Sequence, residues 1–129
     1  MIENYYLGLP MWAHKLWVGE FYAPKTAQNK LLAEYASVFN SVEGNTTFYA
    51  NPKPETIVRW KEAAGEHFRF CFKFPQVITH QRKLRHIQTE LTEFLKLLEP
   101  IAPLLGPFLL GLPSTFDPGS MDALDAFLK

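Results

Sequence analysis

The sequence predicts an α/β fold built from parallel strand–helix units, four in all, as in the N-terminal half of a TIM-type (β/α)8 barrel. Short apolar or aromatic runs alternate with segments in which apolar residues recur every three or four positions. Such alternation is typical of parallel strands joined by helical crossovers. The length is the second observation, because the chain has 129 residues, whereas a complete barrel needs about 250.

The first two units are predicted between residues 5 and 65. The elements of the first unit are a strand at Tyr5–Leu9, an aromatic loop at Pro10–Pro24 and a helix with an apolar face from Leu31 to Phe39. Ser41–Asn45 is predicted to be the second strand because it follows a helix and because the β-favouring residues Thr46–Tyr49 extend it. Pro52 and Pro54 suit the first turn of the second helix, whose amides lack helical partners, and Gly65 ends that helix.

The last two units are predicted between residues 69 and 129. Arg69–Phe74 alternates polar with aromatic residues, which predicts the third strand. A polar loop at Pro75–Arg85 leads to a helix at Ile87–Leu98. The continuously apolar Phe108–Leu112 predicts a fourth strand that is buried on both faces, and Ser120 opens a final helix.

The sequence predicts one domain, residues 1–129, that stops halfway through a barrel. No linker or low-complexity segment divides it. An open four-stranded sheet would leave Tyr5–Leu9 and Phe108–Leu112 as apolar edges without the charged residues that protect natural edges. A small complete α/β domain is the alternative, and two copies would then be expected to pair through these edges.

Composition limits the classes of function. The 13 basic and 13 acidic residues cancel, which argues against a protein that coats a polyanion. The single cysteine, Cys71, can form no internal disulfide, and the N-terminus lacks the layout of a secretion signal, so a cytoplasmic location is predicted. No apolar run approaches the roughly 20 residues of a membrane helix, so no membrane partner is expected.

Candidate catalytic residues follow the predicted strands, where parallel α/β proteins bind ligands. Glu43 and Lys73 lie at equivalent levels of neighbouring strands and are expected to pair, either for proton transfer or as an internal salt bridge. His80 is a candidate base, phosphate ligand or metal ligand, or else a hydrogen-bonded loop histidine. The spacing of Glu43, His80 and Asp117 matches no compact metal motif, so no metal site is predicted.

Aromatic and basic residues offer binding surfaces. The aromatic residues near the strand ends can stack a base or a sugar, or plug the barrel mouth: Trp12, Trp17, Phe21, Tyr22, Phe48 and Tyr49. Arg82, Lys83 and Arg85 can contact a phosphate or a nucleic-acid backbone, or form a solvated surface. Cys71, in the middle of a strand, is predicted to be inert packing.

Several segments match a known family in order and spacing. They are Gly8–Trp12, Trp17 with Gly19, Phe21–Tyr22, Val42–Tyr49, Phe68–Pro75, Ile78–His80, Leu105–Pro107, and Leu112–Pro113 with Phe116. On these segments the chain resembles the YecE-like family, also known as the domain of unknown function 72 family, over nearly its whole length. The pattern Glu-x-Asn-x-Thr-Phe-Tyr from Glu43 and the pattern Lys-x-Pro-x-x-Ile-Thr-His from Lys73 are specific in combination.

The resemblance implies a bacterial, cytoplasmic TIM-type barrel about twice this length, with no established activity. The family's characteristic polar residues fall here on Glu43, Asn45, Thr47, Lys73 and His80. The chain departs from the family at two places. It has Leu9-Pro10-Met11 where the family often has Thr-Ser-Gly, and Gly111 where the family commonly has glutamine.

We therefore expect a site at the carboxyl ends of the strands for a phosphorylated sugar or a nucleotide-like anion. The expected roles are proton transfer by Glu43 and His80, electrostatic stabilisation by Lys73, orientation by Asn45 and Thr47, and stacking on Trp12, Trp17 or Tyr49. The alternatives are a non-catalytic barrel that binds nucleic acid or an anion, and an assembly unit that pairs sheet edges. The sequence identifies no cofactor and does not decide between an enzyme and a binding protein.

Overall fold

A parallel sheet whose strands follow chain order forms the centre of the computed structural model, which describes residues 5–129. The strands are β1 (Gly8–Leu9), β2 (Ser41–Gly44) and β3 (Arg69–Phe72). β2 lies in the middle, with Gly8 opposite Ser41 and Ser41 opposite Arg69. The predicted mixed α/β fold with parallel strands is confirmed. Residues 1–4, part of the segment expected to lack a secretion signal, lie outside the described residues.

Five α-helices accompany the strands in the described part of the chain. They are α1 (Leu31–Ala36), α2 (Thr46–Tyr49), α3 (Pro54–Ala64), α4 (Gln88–Leu98) and α5 (Met121–Leu128). Short 3-10 turns lie at Lys15–Trp17, Gln28–Lys30, Glu99–Leu104 and Pro118–Ser120, and a π-helical turn lies at Val77–Gln81. As predicted, proline opens α3, and Gly65 follows its end with φ of 82°, a conformation that favours glycine.

The main core lies between one face of the sheet and the helices. Its fully buried residues from strands and α-helices are Val42, Phe70, Phe72, Leu31, Tyr35, Ile57, Phe94 and Leu98. Because side chains alternate along a strand, the opposite face carries Glu43, its register partner Cys71 and, one pleat further, Lys73. The alternation in Arg69–Phe74 thus separates a core face from a polar face.

A buried tyrosine hydroxyl joins the first two strands. The Tyr35 hydroxyl accepts a hydrogen bond from the Leu9 amide at 2.7 Å and donates one to the Ser41 carbonyl at 2.8 Å. Glycine is required at position 8, because a Cβ there would collide with the carbonyl oxygen of Ser41. The hydroxyl therefore fixes a strand of only two residues to its neighbour.

The residues predicted to extend the second strand form a helical turn instead. Thr46–Tyr49 is α2. The fully buried Thr47 hydroxyl donates to the Lys73 carbonyl at 2.7 Å and lies 3.2 Å from the Gly44 carbonyl. This bond ties the end of β2 to the end of β3, and it outweighs the β-propensity of the threonines.

The predicted fourth strand, Phe108–Leu112, is reduced to single bridges. Leu105 pairs with Phe70, and Leu109 pairs with Lys73, both in parallel. The ladder is interrupted by one extra residue in this segment, because the Gly106 and Leu109 amides, three residues apart, donate to the carbonyls of Phe70 and Phe72, two residues apart. The segment still lies beside β3 in chain order.

Across residues 5–129, no helix has both the length and the apolar character needed to cross a membrane.

Candidate functional site

A cleft of about 430 Å³ opens where β1 and β2 end. Its walls come from the loop after β1, the end of β2 and the start of α2, and they consist of Pro10–Ala13, Glu43–Thr46 and Tyr49. This is the carboxyl edge of the sheet, the place where parallel α/β folds bind ligands. Half of the residues predicted for the site line this cleft, namely Trp12, Glu43, Asn45 and Tyr49.

Two polar side chains of the cleft, Glu43 and Asn45, carry acceptor atoms without partners in residues 5–129. The Glu43 carboxylate makes no hydrogen bond or ion pair with any residue in 5–129. The Oδ1 atom of Asn45 is buried and has no hydrogen-bond partner in the described chain. Among residues 5–129, no lysine, arginine or histidine lines the cleft. Glu43 is therefore the charged side chain that the described residues present to a ligand in this cleft.

Trp12, an aromatic residue in the wall of the cleft, is supported by residues that do not line the cleft. Trp12 packs edge-to-face on Trp60, with ring centroids 5.4 Å apart, and its carbonyl accepts a hydrogen bond from the Tyr22 hydroxyl at 2.5 Å. Burial, followed by the proximity of Tyr35 and Glu34, raises the pKa of Tyr22 to about 12. Sequence reasoning did not assign these supporting roles, because a hydroxyl bound to a distant carbonyl leaves no pattern in a sequence.

Lys73 and His80 meet around a second aromatic ring, that of Phe48. The Lys73 ammonium lies 4.2 Å from the Phe48 ring centroid, and the His80 ring packs edge-to-face on the same ring at 5.0 Å. Gly111 leaves room for the lysine, since a Cβ there would lie 2.9 Å from Lys73 Cε. Phe48 also contacts the cleft residue Tyr49, with centroids 5.0 Å apart, so this cationic corner adjoins the cleft.

The expected pair between Glu43 and Lys73 is not formed. No ion pair joins them in the structure of residues 5–129, because the lysine side chain lies over Phe48 instead. The His80 imidazole is hydrogen-bonded through Nδ1 to the hydroxyl of Thr79 at 2.8 Å. The carboxylate and the two basic groups therefore occupy neighbouring but separate parts of the sheet edge.

Two predicted binding residues lie away from the cleft. Thr47 is buried, and its hydroxyl is bound to the backbone of β3, because the helical turn of α2 directs it inward. Trp17 packs against the core, with its ring centroid 6.0 Å from that of Phe21 and 6.1 Å from that of Tyr22. Neither side chain lines the cleft.

Cys71 lies across from Glu43 on the polar face of the sheet. Burial, and then the charge of Glu43, raises the pKa of its thiol. Both effects favour the protonated thiol, the form that is not nucleophilic.

The basic segment is largely engaged within the fold. Arg82 forms an ion pair with Glu90 at 3.1 Å, and Arg85 binds both carboxylate oxygens of Asp122, at 3.0 and 3.3 Å. The hydrogen bond from Arg85 lowers the pKa of the Asp122 carboxyl. A phosphate would therefore have to compete with carboxylates for two of the three predicted cations.

A metal centre has no ligand set in the described part of the chain. Within residues 5–129, no group of three or more histidine, cysteine, aspartate or glutamate side chains could hold a metal ion.

Comparison with known proteins extends over most of the chain. The family described as "Protein of unknown function DUF72" matches residues 6–129. The UPF0759 protein YecE of Escherichia coli (strain K12) is 50% identical over 123 residues, which cover 95% of this chain and 43% of that protein. The UPF0759 protein YunF of Bacillus subtilis (strain 168) is 37% identical over 78 residues, which cover 60% of this chain and 27% of that protein. The chain thus spans less than half the length of these relatives.

Two solved structures share the fold. A DUF72 family protein from Thermotoga maritima MSB8 superposes with a TM-score of 0.78 at 23% identity, covering 93% of this chain and 49% of that chain. A DUF72 family protein from Enterococcus faecalis V583 gives a TM-score of 0.73 at 27% identity, covering 94% of this chain and 45% of that chain. With the match over residues 6–129, the chain belongs to the DUF72 family.

Proposed function

We propose that the protein binds and transforms a phosphorylated sugar or a nucleotide-like anion at the carboxyl edge of its sheet. The observation that carries this proposal is the separation of charge along that edge. An aromatic cleft with the Glu43 carboxylate adjoins a corner where Lys73 and His80 flank Phe48. A ligand with a ring at one end and a phosphate at the other matches both parts, since aromatic side chains stack rings and an ammonium binds phosphate.

The proposed chemistry is proton transfer beside a bound anion. Glu43 has no partner within the described chain, so it is available to exchange a proton with a ligand hydroxyl. His80 is proposed as the second proton-transfer group, Asn45 as an orienting group and Lys73 as the electrostatic partner of the anion. Such a site suits isomerisation of a sugar phosphate, or its hydrolysis by water.

The test uses Glu43→Gln and Lys73→Ala in the full-length protein. Ribose 5-phosphate, glucose 6-phosphate and AMP are offered, and binding is followed by calorimetry and conversion by NMR. We expect Lys73→Ala to weaken binding about tenfold through loss of a charged contact. We expect Glu43→Gln to bind normally but to turn over about 100-fold more slowly. Glu62→Gln, an exposed carboxylate on α3, is the matched control. Unchanged turnover in Glu43→Gln would refute the catalytic proposal.

The chain is further proposed to be the first half of a TIM-type barrel in the bacterial cytoplasm. The strands run in chain order, and α1, α3 and α4 all pack on one face of the sheet. The YecE relative is about twice as long. A single cysteine, which can form no internal disulfide, fits a reducing compartment.

The intact mass of the product in its bacterial host tests the half-barrel. A product of about twice 14.8 kDa is expected. A natural product of 14.8 kDa would contradict it and would favour a second candidate, a homodimer paired through sheet edges. That candidate has a specific observation behind it, because Tyr5 and Leu7 before β1, and Leu109 on the far edge, expose 70, 69 and 40% of their surface. Light scattering on the 14.8 kDa product would then have to show a dimer.

A further inference from the structure

We infer that Thr79 is a positioning residue whose hydroxyl donates a hydrogen bond to Nδ1 of His80 and so keeps the proton of the neutral imidazole on Nε2. The Nε2 atom then offers a hydrogen-bond donor to the ligand and cannot remove a proton from it. The inference rests on the proposed function, because it concerns the same site, and it narrows the role of His80. Proton removal falls to Glu43, and His80 stabilises the ligand oxygen on which negative charge develops.

The Thr79 hydroxyl has two neighbours to which it can donate its single hydrogen. It lies 2.8 Å from Nδ1 of His80 and 3.5 Å from the carbonyl oxygen of Pro75. Thr79 is fully buried, so the hydroxyl must find its partner inside the fold. Hydrogen bonds from hydroxyl groups are typically about 2.7–2.8 Å long, which matches the contact with His80 and not the contact with Pro75.

The Pro75 carbonyl determines the direction of the short bond. It already accepts hydrogen bonds from the amides of Ile78 at 3.0 Å and Thr79 at 3.2 Å, and a carbonyl oxygen has two lone pairs. If Nδ1 of His80 carried the proton, the Thr79 hydroxyl would have to accept it. The hydroxyl hydrogen would then be left with the long contact to Pro75 alone. Because a buried donor without a good partner is costly, the hydrogen points to Nδ1 instead.

The direction of this bond determines which nitrogen of His80 carries the ring proton. In a neutral imidazole one nitrogen is protonated and the other accepts hydrogen bonds. With Nδ1 accepting from Thr79, the proton stays on Nε2. Nε2 makes no hydrogen bond to a residue in 5–129, and the His80 ring is partly exposed. The Nε2–H group is therefore available to an oxygen of the ligand.

Lys73 supplies a second donor beside the same aromatic ring. Its ammonium lies 4.2 Å from the centroid of the Phe48 ring, and the His80 ring packs edge-to-face on that ring at 5.0 Å. Donors that are already in position where negative charge develops lower the barrier of a proton transfer. The pair of Lys73 and His80 meets this requirement if His80 donates, whereas a histidine that accepts a proton at Nε2 would not.

The test is nitrogen-15 NMR of the ligand-free full-length protein at about pH 8.5, above the range in which histidines normally titrate. The chemical shift of each imidazole nitrogen reports whether it carries a proton, and His80→Gln identifies the His80 signals by their loss. We expect a protonated Nε2 and an unprotonated, hydrogen-bonded Nδ1. In Thr79→Val the hydroxyl is lost, so the two tautomers should interconvert and the two shifts should move towards each other. Thr79→Ser should restore the wild-type shifts, and Thr92→Val, the same change at an exposed position of α4, should not alter them.

A proton on Nδ1 in the wild-type protein would overturn the inference, as would shifts that Thr79→Val leaves unchanged, and the proposed function would stand with His80 as a base. The tautomer is read without a substrate. Failure of ribose 5-phosphate, glucose 6-phosphate and AMP to bind would therefore refute the proposed function separately. For a phosphate that is converted, Thr79→Val should lower kcat about tenfold, less than the loss on removing such a donor outright, while KM stays nearly constant. Thr79→Ser should restore kcat, and circular dichroism of each variant shows whether the fold is kept.

Discussion

Replacing Tyr35 with phenylalanine tests how the first strand is held. The hydroxyl bridges the Leu9 amide and the Ser41 carbonyl at 2.7 and 2.8 Å, and the Tyr35 side chain is fully buried. A buried group that loses its partner costs about 1–3 kcal/mol. The Ser41 carbonyl is buried and contributes fully, whereas half-buried Leu9 regains water and contributes less. We expect the free energy of unfolding to fall by about 2–4 kcal/mol, a large share of the roughly 5–15 kcal/mol of a typical domain.

Urea unfolding followed by tryptophan fluorescence measures this change. The matched control is Tyr49→Phe, which removes a hydroxyl from a side chain that is 72% exposed and should change stability by less than about 0.5 kcal/mol. A Tyr35→Phe variant as stable as the control would refute the view that this hydroxyl joins the two strands. If the free energy of unfolding fell only as much as on loss of a single exposed hydrogen bond, water would be shown to replace the Tyr35 hydroxyl.

Two further predictions concern other buried groups. The pKa of Tyr22 is raised to about 12, chiefly by burial. The folded state therefore keeps a proton that the unfolded state loses above about pH 10, so stability should fall as pH rises from 10 towards 12, and Tyr22→Phe should reduce this fall in urea titrations at a series of pH values. In Gly44→Ala, the added Cβ would lie 2.6 Å from the fully buried ring of Phe72, so we expect a loss of about 1–3 kcal/mol in thermal or urea unfolding. Gly119→Ala, whose Cβ would meet only a carboxylate oxygen at 3.2 Å, should be nearly neutral, and equal losses in both variants would contradict the packing explanation.

Local periodicity predicted most of the fold because it reflects burial on one face. The apolar spacing after Leu31 and Ile87 predicted α1 and α4, and the alternation in Arg69–Phe74 predicted β3 and its polar face. The prediction that Thr46–Tyr49 extends the second strand was wrong. It rested on β-propensity, which is overridden here by a hydrogen bond from Thr47 to a strand distant in sequence. Such long-range bonds have no local signature.

Only some of the predicted site residues line one cleft, and the function of that cleft stays a prediction. The rule that parallel α/β folds bind ligands at the carboxyl ends of their strands identified Trp12, Glu43 and Asn45, and these three residues do line one cleft. The expected pairing of Glu43 with Lys73 was wrong because the two residues do not lie at equivalent levels: Glu43 is opposite Cys71, and Lys73 lies two residues further along. The Lys73 ammonium lies instead 4.2 Å from the centroid of the Phe48 ring.

The short first strand explains why aromatic residues, rather than a sheet ladder, determine the geometry of the cleft. β1 has two residues, too few to orient the loop that leaves it by strand pairing alone. Tyr35 instead fixes the end of β1, Tyr22 fixes the carbonyl of Trp12, and Trp60 supports its ring. Each of these three residues lies outside the cleft, yet each constrains the wall on which a ligand would stack. Substitutions at Tyr22 or Tyr35 are therefore expected to weaken ligand binding by displacing Trp12, even though neither residue contacts the ligand.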